Sequence, residues 1–308
     1  LEDGVRVEEV ELAIAAPLGG RFRAPELLFR SDEIGKTAFG YNFENTALLL
    51  ALWRRAREMP GLELVAGLTT YVAPRTDCVE AHCEDGLVLT AKLLVGADGR
   101  QSICRAGARI DTKVWSYPQS ALVTTFAHSR PHRNTSTEFH RRAGPLTTVP
   151  LAGNRSSLVW VETAAEAERL LGLGSDVFRD ALTERLQGLL GTIGALGPRV
   201  AFPLSGLIAE PMAQSRVALV GEAGHVMPPI GAQGLNLGFR DAAWLAEIAG
   251  QARREGDPGS EAALARYAAA RAWDVRSREM AVDLVNRSLL LGHLGPDLLR
   301  AAGVTALA

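Results

Sequence analysis

The apolar and polar residues of Val5–Ile14 and Arg21–Phe29 pattern as two strands flanking a Pro17–Gly20 turn. The pattern changes at Asn45-Thr46. These two N-cap residue types precede Ala47–Met59, a run of Ala, Leu and Arg that predicts a helix stopped by Pro60-Gly61. Leu62–Val65 predicts a short strand. Thr70–Ala73, Val79–Cys83 and Leu87–Thr90 predict a meander, with Glu84-Asp85-Gly86 as its last turn. Leu93-Leu94-Val95 is a wholly apolar strand that runs straight into Gly96-Ala97-Asp98-Gly99.

The middle of the chain has a different character. Ser120–Ala127, Thr135–His140, Leu146–Leu151 and Ser157–Glu162 are rich in Thr, Val and Phe and predict sheet strands, the last two joined by a hairpin at Ala152-Gly153-Asn154. Ala164–Leu171 and Ser175–Leu190 predict helices on that sheet. The first pattern then returns. Arg216–Val220 predicts a buried strand ending at Gly221, and a glycine-rich loop leads into a helix from about Leu235 to Arg254. After a break at Glu255–Gly259, Ser260–Leu291 predicts a long helix. Strands alternating with helices at both ends, around a run of strands, give an α/β nucleotide-binding-like layer interrupted by a sheet domain.

Composition narrows the function. The chain has 308 residues, 47% hydrophobic and 22% charged, which is enough to bury a sizeable core. With 33 Lys+Arg against 35 Asp+Glu, the formal net charge is -2, so the general attraction of a basic protein for nucleic acid is absent. No apolar run reaches the roughly 20 residues of a membrane span. Cys78, Cys83 and Cys104 are odd in number and fit no zinc spacing. They read as free thiols in a reducing compartment, the cytoplasm, with neither disulfide nor metal. The chain opens on Leu1 with no signal peptide and closes on the apolar Ala301–Ala308, so both ends read as cut points in a longer sequence.

Two segments carry chemistry. In Leu93–Ser102 an apolar strand ends in a tight turn, with Asp98 between glycines and Ser102 placed to cap a short helix. Ligands of open α/β sheets bind at such carboxyl ends of strands. Taken alone, the segment reads equally well as an ordinary strand-to-helix turn. The second segment, Ala218–Gly238, again ends an apolar strand at a glycine and a carboxylate, Gly221-Glu222. Pro228 and Pro229 stiffen the loop. Gly231 and Gly234 leave backbone amides uncovered at a helix N-terminus, a ready site for negative charge.

Together the two segments resemble the paired fingerprints of the single-component FAD-dependent aromatic monooxygenases. Pro229-Ile230-Gly231-Ala232-Gln233-Gly234-Leu235-Asn236-Leu237-Gly238-Phe239-Arg240-Asp241 and Phe39-Gly40-Tyr41-Asn42-Phe43-Glu44-Asn45 are most similar to the ubiquinone-biosynthesis hydroxylase branch. The resemblance runs from about Leu1 to Arg287. It implies an FAD/NAD(P)-binding Rossmann-like α/β domain, incomplete at its N-terminus, interrupted by a mixed β-sheet substrate domain and followed by long C-terminal helices. The expected division is substrate-domain strands over 1–39, FAD domain over 40–112, substrate sheet over 113–203, FAD domain again over 204–285 and a helical segment over 286–308.

The resemblance also implies roles for single residues. Glu222 takes the place of the carboxylate that binds the flavin ribityl chain. Pro229 lies beside the reactive edge of the flavin. The amides of Gly234, Leu235 and Asn236 lie near its pyrimidine edge. Asp98 serves flavin and nicotinamide handling, and Gly99, Gly221 and Gly231 complete the expected FAD-binding set. The implied reaction uses NAD(P)H to reduce FAD, and a flavin C4a-hydroperoxide then transfers one oxygen to an aromatic ring. The implied substrate is a prenylated phenol of ubiquinone biosynthesis, with Leu146–Leu151 and Leu158–Val161 as the pocket wall. Peripheral membrane contact, and a homo-oligomer or biosynthetic complex, go with that substrate. No catalytic side chain is assigned.

The chain departs from the family's pattern at three places. Glu222 stands where Asp is usual, and Thr46 stands where many relatives carry an Arg facing the cofactor. No GxGxxG occurs, so the resemblance enters part-way through the family's chain. Two rival readings stay open, a hydroxylase of a small soluble phenol and a flavin-free scaffold or lipid-binding subunit. Among the remaining candidates, His225 reads as structural, and His128, His132 and His140 as solvated strand residues. Trp160 reads equally as pocket lining or core. Arg253-Arg254-Glu255 and Arg276–Glu279 read as solvated helix faces.

Overall fold

The computed structural model describes residues 4–14, 26–141 and 143–290. The Pro17–Gly20 turn, part of the Arg21–Phe29 strand and the segment from 291 onward lie outside them. Helices α1 (Asn45–Glu58), α2 (Ile103–Gly107), α3 (Ala164–Gly172), α4 (Ser175–Leu186), α5 (Gln233–Glu255) and α6 (Glu261–Leu290) occur among the described residues. The chain forms two compact units: Leu1–Leu64 with Pro118–Pro203 and Asn286–Ala308, and Val65–Tyr117 with Leu204–Val285.

The first unit is built on a mixed sheet. Its strands run in the order Glu26–Arg30, Glu9–Ile14, Thr135–His140, Leu146–Leu151, Arg155–Thr163 and the latter part of Asp111–His128, with Ile193–Leu196 paired beside the last. Thr135–His140 lies parallel to Glu9–Ile14, and the other pairs are antiparallel. Period-two burial puts Leu122, Phe126, Leu146, Leu158 and Trp160 on one face, where they pack with Leu170 of α3 and Phe178, Leu182 and Leu186 of α4. Trp160 is therefore core, its indole N–H donating to the buried Glu162 carboxylate at 3.2 Å. Leu146 and Leu158 are equally enclosed and cannot line a pocket. The other face of those strands carries Thr147, Val149, Ser157 and Val159, all half-buried.

Several elements differ from the sequence reading for identifiable reasons. α4 stops at Leu186 rather than Leu190, because Gln187 and then Gly188 turn left-handed. α1 starts at Asn45 itself, with no side-chain cap. Leu62–Val65 forms no strand. A strand buried on both faces needs neighbours on both sides, and these residues are exposed. The strands at Ile193–Leu196 and Val200–Glu210 were not legible, since Gly194 interrupts the first and Pro203 and Gly206 the second. His128 is not a solvated strand residue. It is buried, its Nδ1 2.7 Å from the Arg130 carbonyl and its Nε2 3.0 Å from Ser156 Oγ, and burial holds its pKa below the ordinary histidine value. His132 and His140 are likewise bonded within the sheet, to the Leu151 carbonyl and the Glu138 carboxylate.

The second unit contains a short sheet ordered Ala213–Gln214, Val217–Leu219, Leu94–Gly96, with the last two strands parallel. The antiparallel meander Thr69–Pro74, Val79–Cys83 and Val88–Ala91 belongs to the same unit. α5 and α6 bury apolar stripes together, with Leu237, Leu245, Ile248, Leu264, Tyr267 and Val275 in one cluster.

α1 stands apart energetically. None of its residues is buried, and Leu49 is 65% and Trp53 55% exposed. Replacing Leu49 with Gln should therefore change the stability of the chain by no more than about 0.5 kcal/mol. Phe178→Ala, which empties a fully buried site, should cost about 3–5 kcal/mol. Urea denaturation of the two variants checks this; equal losses would contradict the packing described.

Candidate functional site

Strands Leu94–Gly96 and Val217–Leu219 pair in parallel with Leu94 opposite Val217 and Gly96 opposite Leu219. Val220 continues the ladder by donating its N–H to the Gly96 carbonyl at 2.9 Å. The two glycine-bounded turns therefore leave the same edge of the same sheet, at the carboxyl ends of adjacent strands. That is where open α/β sheets bind ligands.

In the first turn, Asp98 is bound within its own loop. Its Oδ1 accepts from Ser102 Oγ at 2.6 Å and its Oδ2 from the Cys104 N–H at 3.1 Å, while Ser102 Oγ caps α2 by accepting from the Arg105 N–H. Burial pushes the Asp98 carboxyl up, but those hydrogen bonds outweigh it and hold the group below the usual carboxylate range. Gly99 has φ +78° and open space where a Cβ would stand. Burial, with Asp98 beside it, pushes the Cys104 thiol up to about 12, so it is no nucleophile at neutral pH. Arg105 ties the two turns together, donating to the Arg100 carbonyl at 2.8 Å and the Ala223 carbonyl at 2.7 Å. The sequence reading passed over this arginine.

The second turn begins at Gly221, whose φ of +59° favours glycine. Its N–H donates to Asp241 Oδ2 at 2.9 Å. Gly238, one helical turn before Asp241, faces this turn, and a Cβ there would stand in ordinary contact with Gly221 Cα at 3.4 Å. Glu222 is exposed and has no hydrogen-bond or ionic partner among the described residues. Pro228 is buried and Pro229 exposed, and Gly231 sits in the one-turn 3-10 helix Ile230–Ala232. Ala232 then takes a left-handed conformation, φ +51°, a strained state for a residue with a Cβ.

α5 starts there with no side-chain cap and no acidic residue in its first turn. Gly234 and Leu235 are exposed first-turn residues whose amides precede the intrahelical ladder. Asn236 is the fourth residue, where that ladder begins, and its side chain donates to the Ala232 carbonyl at 3.1 Å. The helix therefore presents amide donors and the positive end of its dipole to solvent. Nothing lies within 4 Å of a Cβ built at Gly221 or Gly234. An open backbone, free amides and a free carboxylate fit the ring and polyhydroxyl chain of a flavin.

A buried ionic network that the sequence reading missed lies beneath this edge. Asp241 accepts from Gly221, from His225 Nε2 at 2.6 Å and from Arg271 Nε at 2.7 Å. Arg271 also holds Asp274, which accepts from Arg278 and Arg240. Arg278 in turn donates to Gln233 Oε1 at the start of α5. The Arg276–Glu279 stretch is therefore only partly a solvated face: Arg276 pairs with Glu210 on the surface, whereas Arg278 serves the network. The readable signal was a charged residue on each helix's apolar stripe, Asp241 among Leu237, Leu245 and Ile248, and Arg271 between Tyr267 and Val275. Among the described residues no cluster suited to a metal ion occurs.

The fold and this edge define a flavin-binding α/β protein, and comparison with known proteins agrees. The pattern of the family described as FAD binding domain matches residues 67–279, and the chain belongs to that family. Ubiquinone hydroxylase UbiL of Rhodospirillum rubrum is 39% identical over 250 residues, covering 80% of this chain and 58% of that protein. The 3-demethoxyubiquinol 3-hydroxylase of Escherichia coli is 32% identical, covering 84% of this chain and 66% of that protein. The chain thus spans less than two thirds of the length of either relative. Among solved structures, PqsL of Pseudomonas aeruginosa shares the fold with a TM-score of 0.80 at 23% identity, covering 99% of this chain and 82% of that one.

The network makes a prediction about acid stability. Burial would raise the Asp274 carboxyl, but Arg278, Arg271 and Arg240 outweigh it and bring the pKa down to about 2. A depressed folded-state pKa stabilises above the unfolded value near 4, and that contribution is lost as pH falls toward 2. Asp274→Asn should therefore cost about 2 kcal/mol at pH 6, and the gap to the parent chain should close between pH 4 and 2. A gap independent of pH, measured by denaturant titration across that range, would contradict this.

Proposed function

We propose that this chain forms the flavin-edge and substrate-sheet portion of an FAD-dependent aromatic hydroxylase acting on a prenylated phenol of ubiquinone biosynthesis. One observation carries the reading. Two glycine-bounded turns leave adjacent parallel strands beside the uncapped N-terminus of α5, with Gly234, Leu235 and Glu222 exposed and Glu222 without a side-chain partner among the described residues. The names of the relatives support the substrate class.

In this reading the amides of Gly234 and Leu235 face the pyrimidine edge of the flavin, and Glu222 accepts from its ribityl hydroxyls. Pro229 stiffens the backbone beside the reactive edge. The uncapped helix end favours the reduced, anionic form of the cofactor over the oxidised form, because only the former carries the extra negative charge. Bound FAD supplies two-electron reduction by NAD(P)H and the activation of O2. The balance is one aromatic C–H, O2, NAD(P)H and a proton giving one phenolic C–OH, water and NAD(P)+. Asp98 positions its turn from within. No helix among the described residues is long and apolar enough to cross a membrane. The prenyl tail of such a substrate partitions into lipid, so peripheral contact with a bilayer belongs to the proposal.

The test is turnover under 18O2 with FAD, NAD(P)H and a prenylated phenol. The product should gain one 18O, and NAD(P)H oxidation without a labelled product would overturn the reading. A chain that binds prenylated phenol but no FAD would favour the flavin-free alternative. Glu222→Ala removes a hydrogen bond to a charged acceptor, worth about 1.5–3 kcal/mol. Its dissociation constant for FAD should rise by about one to two orders of magnitude; an unchanged titration would show that Glu222 does not meet the ribityl chain.

A further inference from the structure

A fully buried carboxylate needs a reason. Asp241 is 0% exposed and lies on the apolar stripe of α5, where burying a charge is costly unless it is paired. Its surroundings supply only donors: the Gly221 N–H and His225 Nε2 at one oxygen, and Arg271 Nε at the other. A carboxylate accepts at both oxygens and donates at neither, so it alone satisfies all three. His225 Nε2 completes the set at 2.6 Å from the same oxygen as the Gly221 N–H. The three donors come from the start of the Gly221 turn, from two-residue strand His225–Val226 and from α6. Asp241 thus gathers the strand end, the far side of the loop and the neighbouring helix onto one point of α5.

We infer that Asp241 is the positioning residue of the flavin edge. Clamped by Arg271, it pins the left-handed Gly221 turn and His225, and so sets where Glu222 and the first turn of α5 meet the cofactor. The inference rests on the FAD reading above for its purpose and on the hydrogen bonds alone for its mechanics. Asp241 touches no cofactor atom itself; it acts through Gly221. Tyr267 O–H reinforces the same strand end by donating to the Leu219 carbonyl at 2.7 Å.

The experiment uses the 308-residue chain and four variants: Asp241→Asn, His225→Leu, His225→Gln and Glu222→Ala. Hydrogen exchange of the Gly221–Val226 segment, without added flavin, reads the pin. Titration with FAD, followed by flavin fluorescence and the shape of the visible band, reads its consequence. In Asp241→Asn the amide group must turn its N–H2 toward at least one donor, so the segment should exchange at least tenfold faster. FAD should bind at least tenfold more weakly. His225→Leu should do the same to a smaller degree, and His225→Gln, whose side-chain N–H can still reach Asp241, should recover both.

Glu222→Ala should weaken FAD binding and leave exchange of the segment unchanged, which separates contact from positioning. Should Asp241→Asn fail to fold, the two His225 variants decide. Unchanged exchange in Asp241→Asn, or equal behaviour of His225→Leu and His225→Gln, would overturn the positioning role. Faster exchange with unaltered FAD affinity would show that the pin is structural only. If the parent chain takes up no FAD, the flavin edge alone does not hold the cofactor, and the exchange measurements still decide whether Asp241 holds the turn.

Discussion

The parallel pairing of Leu94–Gly96 with Val217–Leu219 is the constraint on which the site depends. Each strand contributes only three residues, and their motifs lie more than a hundred positions apart in sequence. Neither turn makes a ligand edge alone. Parallel strands cannot be joined by a short hairpin, so the intervening chain must leave the layer and return. The second unit spans this return, and the sheet of the first unit is built largely from the residues in between. Once the register sets Gly96 against Leu219, both turns start at the same height, and Arg105 can bond carbonyls of both.

Much of this was legible in the sequence because it rests on local chemistry. A wholly apolar strand running into Gly96-Ala97-Asp98-Gly99 predicts a tight turn, and Ser102 is a cap by residue type and position. Gly231 and Gly234 mark an uncovered helix start, as the structure has it at α5. What was not legible depends on partners distant in sequence. Asp241 finds Gly221, His225 and Arg271 across 20, 16 and 30 residues. Periodicity can show that a charge stands on an apolar stripe, but it cannot name the partner. Leu62–Val65 failed for the converse reason. Its composition suits a buried strand, but a strand exists only where another strand accepts its hydrogen bonds.

The same reasoning separates two kinds of carboxylate at this edge. Asp98 and Asp241 are spent internally: their oxygens hold backbone N–H groups and side chains of the protein, and what they determine is conformation. Glu222 is the opposite case, exposed and without a partner among the described residues. One added methylene relative to the family's usual Asp moves its charge outward and gives it more rotamers to order on binding, which costs roughly 0.5–1.5 kcal/mol per immobilised side chain. Under the role proposed for Glu222, that freedom places a greater demand on the backbone beneath it. If the reach is flexible, the turn that launches it must be rigid.

Energetics point to why that rigidity takes an ionic form. Taking a carboxylate and a guanidinium out of water costs several kcal/mol per ion, and well-packed apolar residues often match or exceed the stability of a buried pair. Asp241 and Arg271 are therefore poor candidates for stabilisers in their own right. Arg271 even keeps one buried nitrogen, Nη2, without a partner among the described residues. What the pair does supply is direction. Apolar packing tolerates sliding and rotation, whereas a carboxylate answering three fixed donors allows one arrangement of turn, histidine and helix. A glycine turn with φ +59° has many alternatives in the absence of such a restraint. The desolvation cost at Asp241 thus goes with the selection of a single geometry at the turn, which is what the proposed flavin edge requires.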